Sequence, residues 1–334
     1  MTPRISFFID RFTIALVLVV AAASFVPAHG LGAVFFRWLT TAAIALLFFL
    51  HGAKLSRQAI IAGATHWRLH ILIFAWTFIV FPILGWVTYP ALVPLLGPGL
   101  AAGVIYLCVL PGTVQSAIAF TSMARGNIPA AVCAASASSI VGIVITPVLL
   151  QLILGADTSA LGGGALLTSI WKISVQILLP FVVGHLMRPL FVDFLGRHRM
   201  LVGAVDRGSI LLVVYTAFSQ SVIGGLWQST RLSALAWLVV VCCVLLAVVL
   251  ASNMWSTRRL GFNRADEIAI VFCGSKKSLA TGVPMAGVLF GAAAIGPMLL
   301  PLMIFHQVQL MVCAVLAQHY PRAEAAEQVS GATA

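Results

Sequence analysis

The most unusual chemistry in this sequence lies in six residues, Cys273-Gly274-Ser275-Lys276-Lys277-Ser278, set inside a long apolar segment. Two adjacent lysines surrounded by hydrocarbon need partners, because a charged side chain at the bilayer centre costs about 2.5–3.5 kcal/mol even on a lenient insertion scale. The eight acids are Asp10, Asp157, Asp193, Asp206, Asp266, Glu267, Glu324 and Glu327, and each falls in a loop, in a tail or at the end of an apolar segment. The lysines are therefore expected to meet helix C-termini, water or a bound anion. One of them is expected to tie the carbonyl end of another broken helix in place of a structural cation. The other is expected to handle substrate or protons.

A second interruption lies about half a chain earlier, in LCVLPGTVQSAIAF from Leu107 to Phe120. Pro111 removes a backbone donor and clashes with the preceding turn, and Gly112 lets the chain leave helical geometry. Thr113, Gln115 and Ser116 then offer polar side chains beside the freed backbone. Irregular backbone at membrane depth is tolerated where protein buries it or where it lines a wet cavity. A plain proline kink is the alternative reading. Two further segments supply groups that could pack against these breaks. One carries Ser136, Ser138, Ser139 and Thr146, with Ser136 and Ser139 on one helical face. The other carries His306, Gln307 and Gln309. His306 reads either as a proton-handling residue near neutral pH or as a hydrogen-bonded packing histidine.

Several chemistries find no support. There is no HExxH, Walker A or GxSxG sequence, so an ATP-driven pump or an intramembrane hydrolase is not expected, and the chain is read as a non-enzyme. The six cysteines lie within apolar segments at no metal-binding spacing and read as packing residues. No cofactor or metal is expected, although sodium or a proton could serve as a coupling ion.

The elements that must position these residues are membrane helices. Of 334 residues, 61% are hydrophobic and 8% charged, with a mean hydropathy of +1.10, whereas soluble domains carry about 25% charged residues. A span needs about 20 apolar residues, and ten are predicted at about 12–28, 33–52, 69–89, 99–123, 128–154, 166–187, 207–227, 232–255, 266–290 and 294–319. With the N-terminus in the cytoplasm, 14 of the 19 basic residues fall on cytoplasmic segments, and Arg231 alone falls on an outer loop. Arg37 and Lys172 are expected to snorkel from the outer ends of their helices. The net charge of +11 thus reads as loop retention in the cytoplasm, and no nucleic-acid partner is expected. Each half of the chain ends with an interrupted helix followed by another helix. Five spans per half is odd, so the second half must be inverted relative to the first, an arrangement that points to a transporter's binding site. The expected organisation is a first repeat at 1–155, an inverted second repeat at 156–320 and a disordered cytoplasmic tail at 321–334.

At the two interruptions the sequence resembles the bile acid:sodium symporter superfamily. The resemblance is to the branch of the vertebrate solute carrier family ten member seven and its bacterial homologues. FCGSKKSLATGVPMA, from Phe272 to Ala286, carries it most specifically, and LPGTVQSAIAFTSMARGNIPAA, from Leu110 to Ala131, carries it second. The resemblance implies an all-α fold of ten transmembrane helices in two inverted five-helix repeats. Core and panel domains enclose the solute, and discontinuous helices four and nine cross in the core. It also implies sodium ligands at positions that here hold Thr113, Gln115 and Ser116. The family's helix-nine Glu falls at Val271, and its Gln-Asn-Ser stretch falls at Ser275, Lys276 and Lys277. Helix-five ligands fall near Ala131 and Ala135, beside Ser136.

The expected function is secondary active transport of a small or amphipathic organic anion, with lysine charge replacing bound sodium. Thr113, Gln115, Ser116, Ser136, Gly274, Ser275, Lys276, Lys277, Ser278 and His306 are the candidate binding residues. The alternatives are a cation/proton antiporter and a non-transporting regulator of ion homeostasis. The expected partners are an anionic solute and the lipid bilayer of the bacterial inner membrane, with both termini cytoplasmic. The oligomeric state is open.

Overall fold

The computed structural model describes residues 11–54, 66–154, 171, 174–229, 231–290 and 294–331, and no strand occurs among them. The predicted boundary between repeats at 155–156 and Lys172 lie outside the described residues. The helices are α1 (Arg11–Phe25), α2 (Gly30–Lys54), α3 (Trp67–Leu96), α4 (Pro98–Val109), α5 (Gln115–Met123), α6 (Ile128–Leu154), α7 (Leu179–Leu186) and α8 (Arg188–Arg197). They continue with α9 (Arg199–Ile223), α10 (Leu226–Ser229), α11 (Leu232–Arg259), α12 (Arg264–Gly274), α13 (Leu279–Leu289) and α14 (Ile295–Gly331). A π turn, Ser174–Leu178, leads into α7.

Six of these helices are long and apolar enough to cross a bilayer, and the bent pair Val175–Leu186 and Arg188–Arg197 would make a seventh. Ten were expected. The difference has a physical cause: the predicted spans 99–123 and 266–290 are each two short helices, and a 12-residue helix such as α4 extends only about 18 Å. The first predicted span is a helix of 15 residues. Large apolar side chains such as Phe25, Leu31, Trp38, Trp67, Trp86 and Leu232 are exposed on the outer surface, where lipid is the solvent that suits them. The chain is a multi-pass membrane protein.

Two groups of helices pack separately. Helices α1, α2, α7 and α9 pack on one another, while α3, α4, α5, α6, α12, α13 and α14 surround the interruptions. In the first group, glycines let two backbones touch. A Cβ on Gly52 would sit 1.9 Å from the Phe181 carbonyl oxygen, and one on Gly184 would sit 2.0 Å from that of Phe49. Close backbone approach through small residues is the usual way helices associate in lipid. Helix α9 meets the second group through α13 and α14.

Two features depart from the sequence reading. Helix α14 runs on to Gly331, past the Pro321 at which an irregular tail was expected, because Arg, Ala, Glu and Gln are good helix formers. Helix α9 begins at Arg199, so Asp206 lies inside the candidate span Met200–Ile223 and is buried. The expectation that no acid enters a span is therefore corrected.

Candidate functional site

The site forms where the two interrupted helices meet. Leu110 adopts an extended backbone (φ −69°, ψ 153°) that ends α4, as the residue before a proline prefers. Residues 110–114 separate α4 from α5, and residues 275–278 separate α12 from α13. The two breaks touch: Ser278 N–H donates to the Pro111 carbonyl at 2.9 Å. Gly112 lets the breaks approach closely, since a Cβ would lie 3.1 Å from the Cys273 carbonyl oxygen. Its N–H donates to Ser138 Oγ at 3.2 Å. Gly142 is the opposite wall, because a Cβ there would lie 2.6 Å from the Pro111 ring.

A helix that ends in a protein interior leaves carbonyls without partners, and the five carbonyls from Leu107 to Pro111 at the end of α4 each have one. Leu107 O accepts from Leu110 N–H and Pro111 O from Ser278 N–H. Val109 O accepts from Thr146 Oγ1 at 2.8 Å. Cys108 O and Leu110 O accept from Lys277 Nζ at 2.8 and 2.7 Å. The third Lys277 donor goes to Thr77 O at 2.8 Å. That carbonyl is free for a reason legible in the chain. A π turn at Trp76–Val80 sends Phe81 N–H to Trp76 O, and the next residue, Pro82, has no N–H to give. The Phe81 ring centroid lies 4.2 Å from the ammonium, a cation–π distance. Lys277 thus has all three donors placed and is fully buried. Its backbone is held as firmly, with Gln309 Oε1 accepting from Lys277 N–H and Gln309 Nε2 donating to Lys277 O, both at 2.9 Å.

The second lysine is placed differently. Lys276 Nζ donates to Ser116 O at 3.0 Å and lies 4.1 and 5.1 Å from the Phe120 and Phe272 ring centroids. Ser116 Oγ in turn bonds Thr113 Oγ1 at 2.8 Å. Ser275 Oγ folds back on Val271 O at 2.5 Å, and Ser278 Oγ caps α13 by accepting from Thr281 N–H at 3.2 Å. Gly274 packs tightly, since a Cβ would lie 2.7 Å from Asn253 Nδ2 and 3.3 Å from Trp76 Cβ.

Thr113, Ser116, Gly274, Ser275, Lys276, Lys277 and Ser278 are therefore brought together. His306 joins at one remove, its Nδ1 lying 2.9 Å from Gln309 Nε2. The amide orientation that receives Lys277 N–H on Oε1 makes Nε2 the donor, so Nδ1 accepts and the proton sits on Nε2 of the neutral ring. Ser136 is half-buried on α6, and Ser138 is the α6 hydroxyl that reaches the break. Gln115 turns away, donating to Asp206 Oδ2 at 3.4 Å. Sequence reasoning missed Thr77 as a partner, and the π turn followed by Pro82 is the signal that could have found it.

Of the positions where the resemblance implies sodium ligands, Thr113, Gln115, Ser116 and Ser275 carry side-chain oxygens, whereas Val271, Lys276 and Lys277 do not. Val271 offers no side-chain oxygen, and an ammonium already occupies the carbonyl end of α4. Hard cations such as sodium require oxygen ligands.

Comparison with known proteins identifies the family. The model of the SBF-like CPA transporter family matches residues 10–322. An uncharacterized protein of Pseudomonas aeruginosa is 58% identical, with 96% of this chain and 95% of that protein covered. YfeH of Escherichia coli, named a candidate symporter, is 57% identical over 94% of this chain and 93% of its own. The sodium/bile acid cotransporter 7 of Mus musculus is 31% identical over 92% and 91%. The chain belongs to the SBF-like CPA transporter family.

Proposed function

We propose that this protein is a secondary active transporter that carries a small or amphipathic organic anion across the bacterial inner membrane by alternating access. Its ten membrane segments are two inverted five-helix repeats, with both termini in the cytoplasm. The panel, built on α1, α2, α7 and α9, moves against a core built on the crossed breaks. One observation carries the reading: the Lys277 ammonium sits on three carbonyls at the crossing. There it supplies the fixed positive charge that sodium-coupled relatives take from a bound ion. Transport is consequently independent of sodium, and Lys276, with its single carbonyl partner, keeps donor capacity for the anion once the core opens to it. Two open depressions flank α7. One, of 490 Å³, lies against Trp171, Val175, Gln176, Gly287 and Val288 at the start of α7. The other, of 380 Å³, lies beyond its end.

Reconstituted protein tests this reading. Uptake from a panel of labelled organic anions into proteoliposomes should be found for at least one compound, unchanged when choline replaces sodium, and lost in Lys276→Ala. Uptake that requires sodium and saturates with it would overturn the sodium-independent reading, and no anion uptake at all would overturn the transport reading. Cation–proton exchange is the second reading, favoured by the buried carboxylate of Asp206, and cation flux driven by a pH gradient alone would select it. Any flux at all argues against a purely regulatory role.

A further inference from the structure

Away from the crossed breaks, two donors from the two helix groups converge on one oxygen. Lys54 Nζ, at the end of α2, donates to Asp206 Oδ2 at 2.5 Å. Gln115 Nε2, at the start of α5, donates to the same oxygen at 3.4 Å. The other oxygen, Asp206 Oδ1, is buried and has no hydrogen-bond partner among the described residues. An ammonium and an amide aimed at one carboxylate oxygen form a carboxylate receptor, and here Asp206 itself occupies it. The receptor opens on the 380 Å³ cavity, which Lys54, Gln115 and Asp206 line together with Val192, Val202 and Gly203. A Cβ on Gly196 or Gly203 would meet nothing within 4 Å, so both glycines leave room beside the receptor.

We infer that the Lys54–Gln115 pair is the cytoplasmic docking point for the carboxylate of the transported anion, and that Asp206 takes up a proton when the anion displaces it. The inference rests on the proposed anion transport and deepens it by naming the solute's anchor and its coupling ion. Charge conservation supplies the reason. The empty receptor holds one ammonium and one carboxylate. A second carboxylate entering beside a charged Asp206 would leave two like charges at close range on one ammonium. One proton on Asp206 restores neutrality, and the protonated acid can donate a hydrogen bond to the incoming anion. Anion and proton then bind together, one for one, and each raises the affinity for the other. Because Gln115 belongs to the crossed-helix group and Asp206 to the other, the same exchange breaks a tie between them.

Among the described residues, the titratable side chains that line this cavity with Asp206 or interact with it are Lys54 and His51. Helix α2 contributes Lys54 and His51, which interacts electrostatically with both charges. Helix α5 contributes the neutral Gln115 to the cavity, α8 contributes Val192, Leu195 and Gly196, and α9 contributes Val202 and Gly203.

Benzoate, a monocarboxylate small enough for the cavity, is the probe, with binding to purified full-length protein followed by calorimetry between about pH 8 and about pH 6. Wild-type affinity should rise by up to about tenfold per pH unit as one proton is taken up with each anion. Asp206→Asn mimics the protonated acid and frees Lys54, so it should bind benzoate about tenfold or more tightly than wild type at the higher pH, with that pH dependence gone. Lys54→Gln should lose binding, whereas His51→Gln should retain the pH dependence. Equal binding by wild type, Asp206→Asn and Lys54→Gln, or no binding by Asp206→Asn, would overturn the inference. Either result can coexist with anion uptake in proteoliposomes, so its failure is distinct from failure of the transport reading.

Discussion

The two interrupted helices end in different ways. At the end of α4, five consecutive carbonyls have partners, and a fully buried ammonium supplies two of them while reaching a third carbonyl on α3. At the end of α12 the chain closes largely on itself, through Ser275 Oγ and N–H on Val271 O. The lysine beside that break reaches across to one carbonyl and two aromatic rings. Neighbouring residues of one type thus do different things. Lys277 is bound by every donor it has, whereas Lys276 keeps donor capacity beyond its one carbonyl bond. Burial does not separate them, since both are fully buried; the number of carbonyls each one satisfies does.

Removing each lysine should break this comparison unequally. Lys277→Met leaves three buried carbonyls without donors, and at about 1–3 kcal/mol for each orphaned group the expected loss is about 3–9 kcal/mol. Thermal unfolding in detergent should show a large fall in the midpoint. Lys276→Met removes one hydrogen bond and a cation–π contact, for an expected loss of about 1–2 kcal/mol, so its midpoint should fall much less while anion uptake is lost. Equal destabilisation by the two variants would refute the division of roles. The smallest effect sharpens the account of Thr77. Pro82→Ala supplies an N–H that can compete for the Thr77 carbonyl. It should change stability by under about 1 kcal/mol alone, yet recover about 0.5–1 kcal/mol in the Lys277→Met background. A double-mutant cycle with no coupling would show that Thr77 O does not depend on Lys277.

Much of this arrangement was legible in the residues. Pro111-Gly112 and Gly274-Ser275 marked the breaks because proline and glycine act on the backbone locally, within a turn of where they stand. The tie of one lysine to the other helix's carbonyl end was among the outcomes that cost allowed, since an ammonium in hydrocarbon must find partners, but which lysine makes it was not legible. What could not be read was which side chain faces which. Ser136 and Ser138 differ by two positions on one helix, about 200° of rotation, and Ser138 meets Gly112 because of how α6 rolls against α4. Gln115, two residues from Thr113, faces the other helix group for the same reason. Asp206 lay at the edge of an apolar run, and hydropathy alone does not register that α9 begins at Arg199 and carries it inward.

The central claim is that the Lys277 ammonium holds the place of a bound sodium ion. The most direct measurement is the thermal unfolding midpoint of the purified protein across a sodium chloride series, with choline chloride keeping ionic strength constant. A ligand that binds the folded state raises stability as its concentration exceeds its dissociation constant. The account predicts one midpoint across the whole series, and a saturable rise specific to sodium would contradict it.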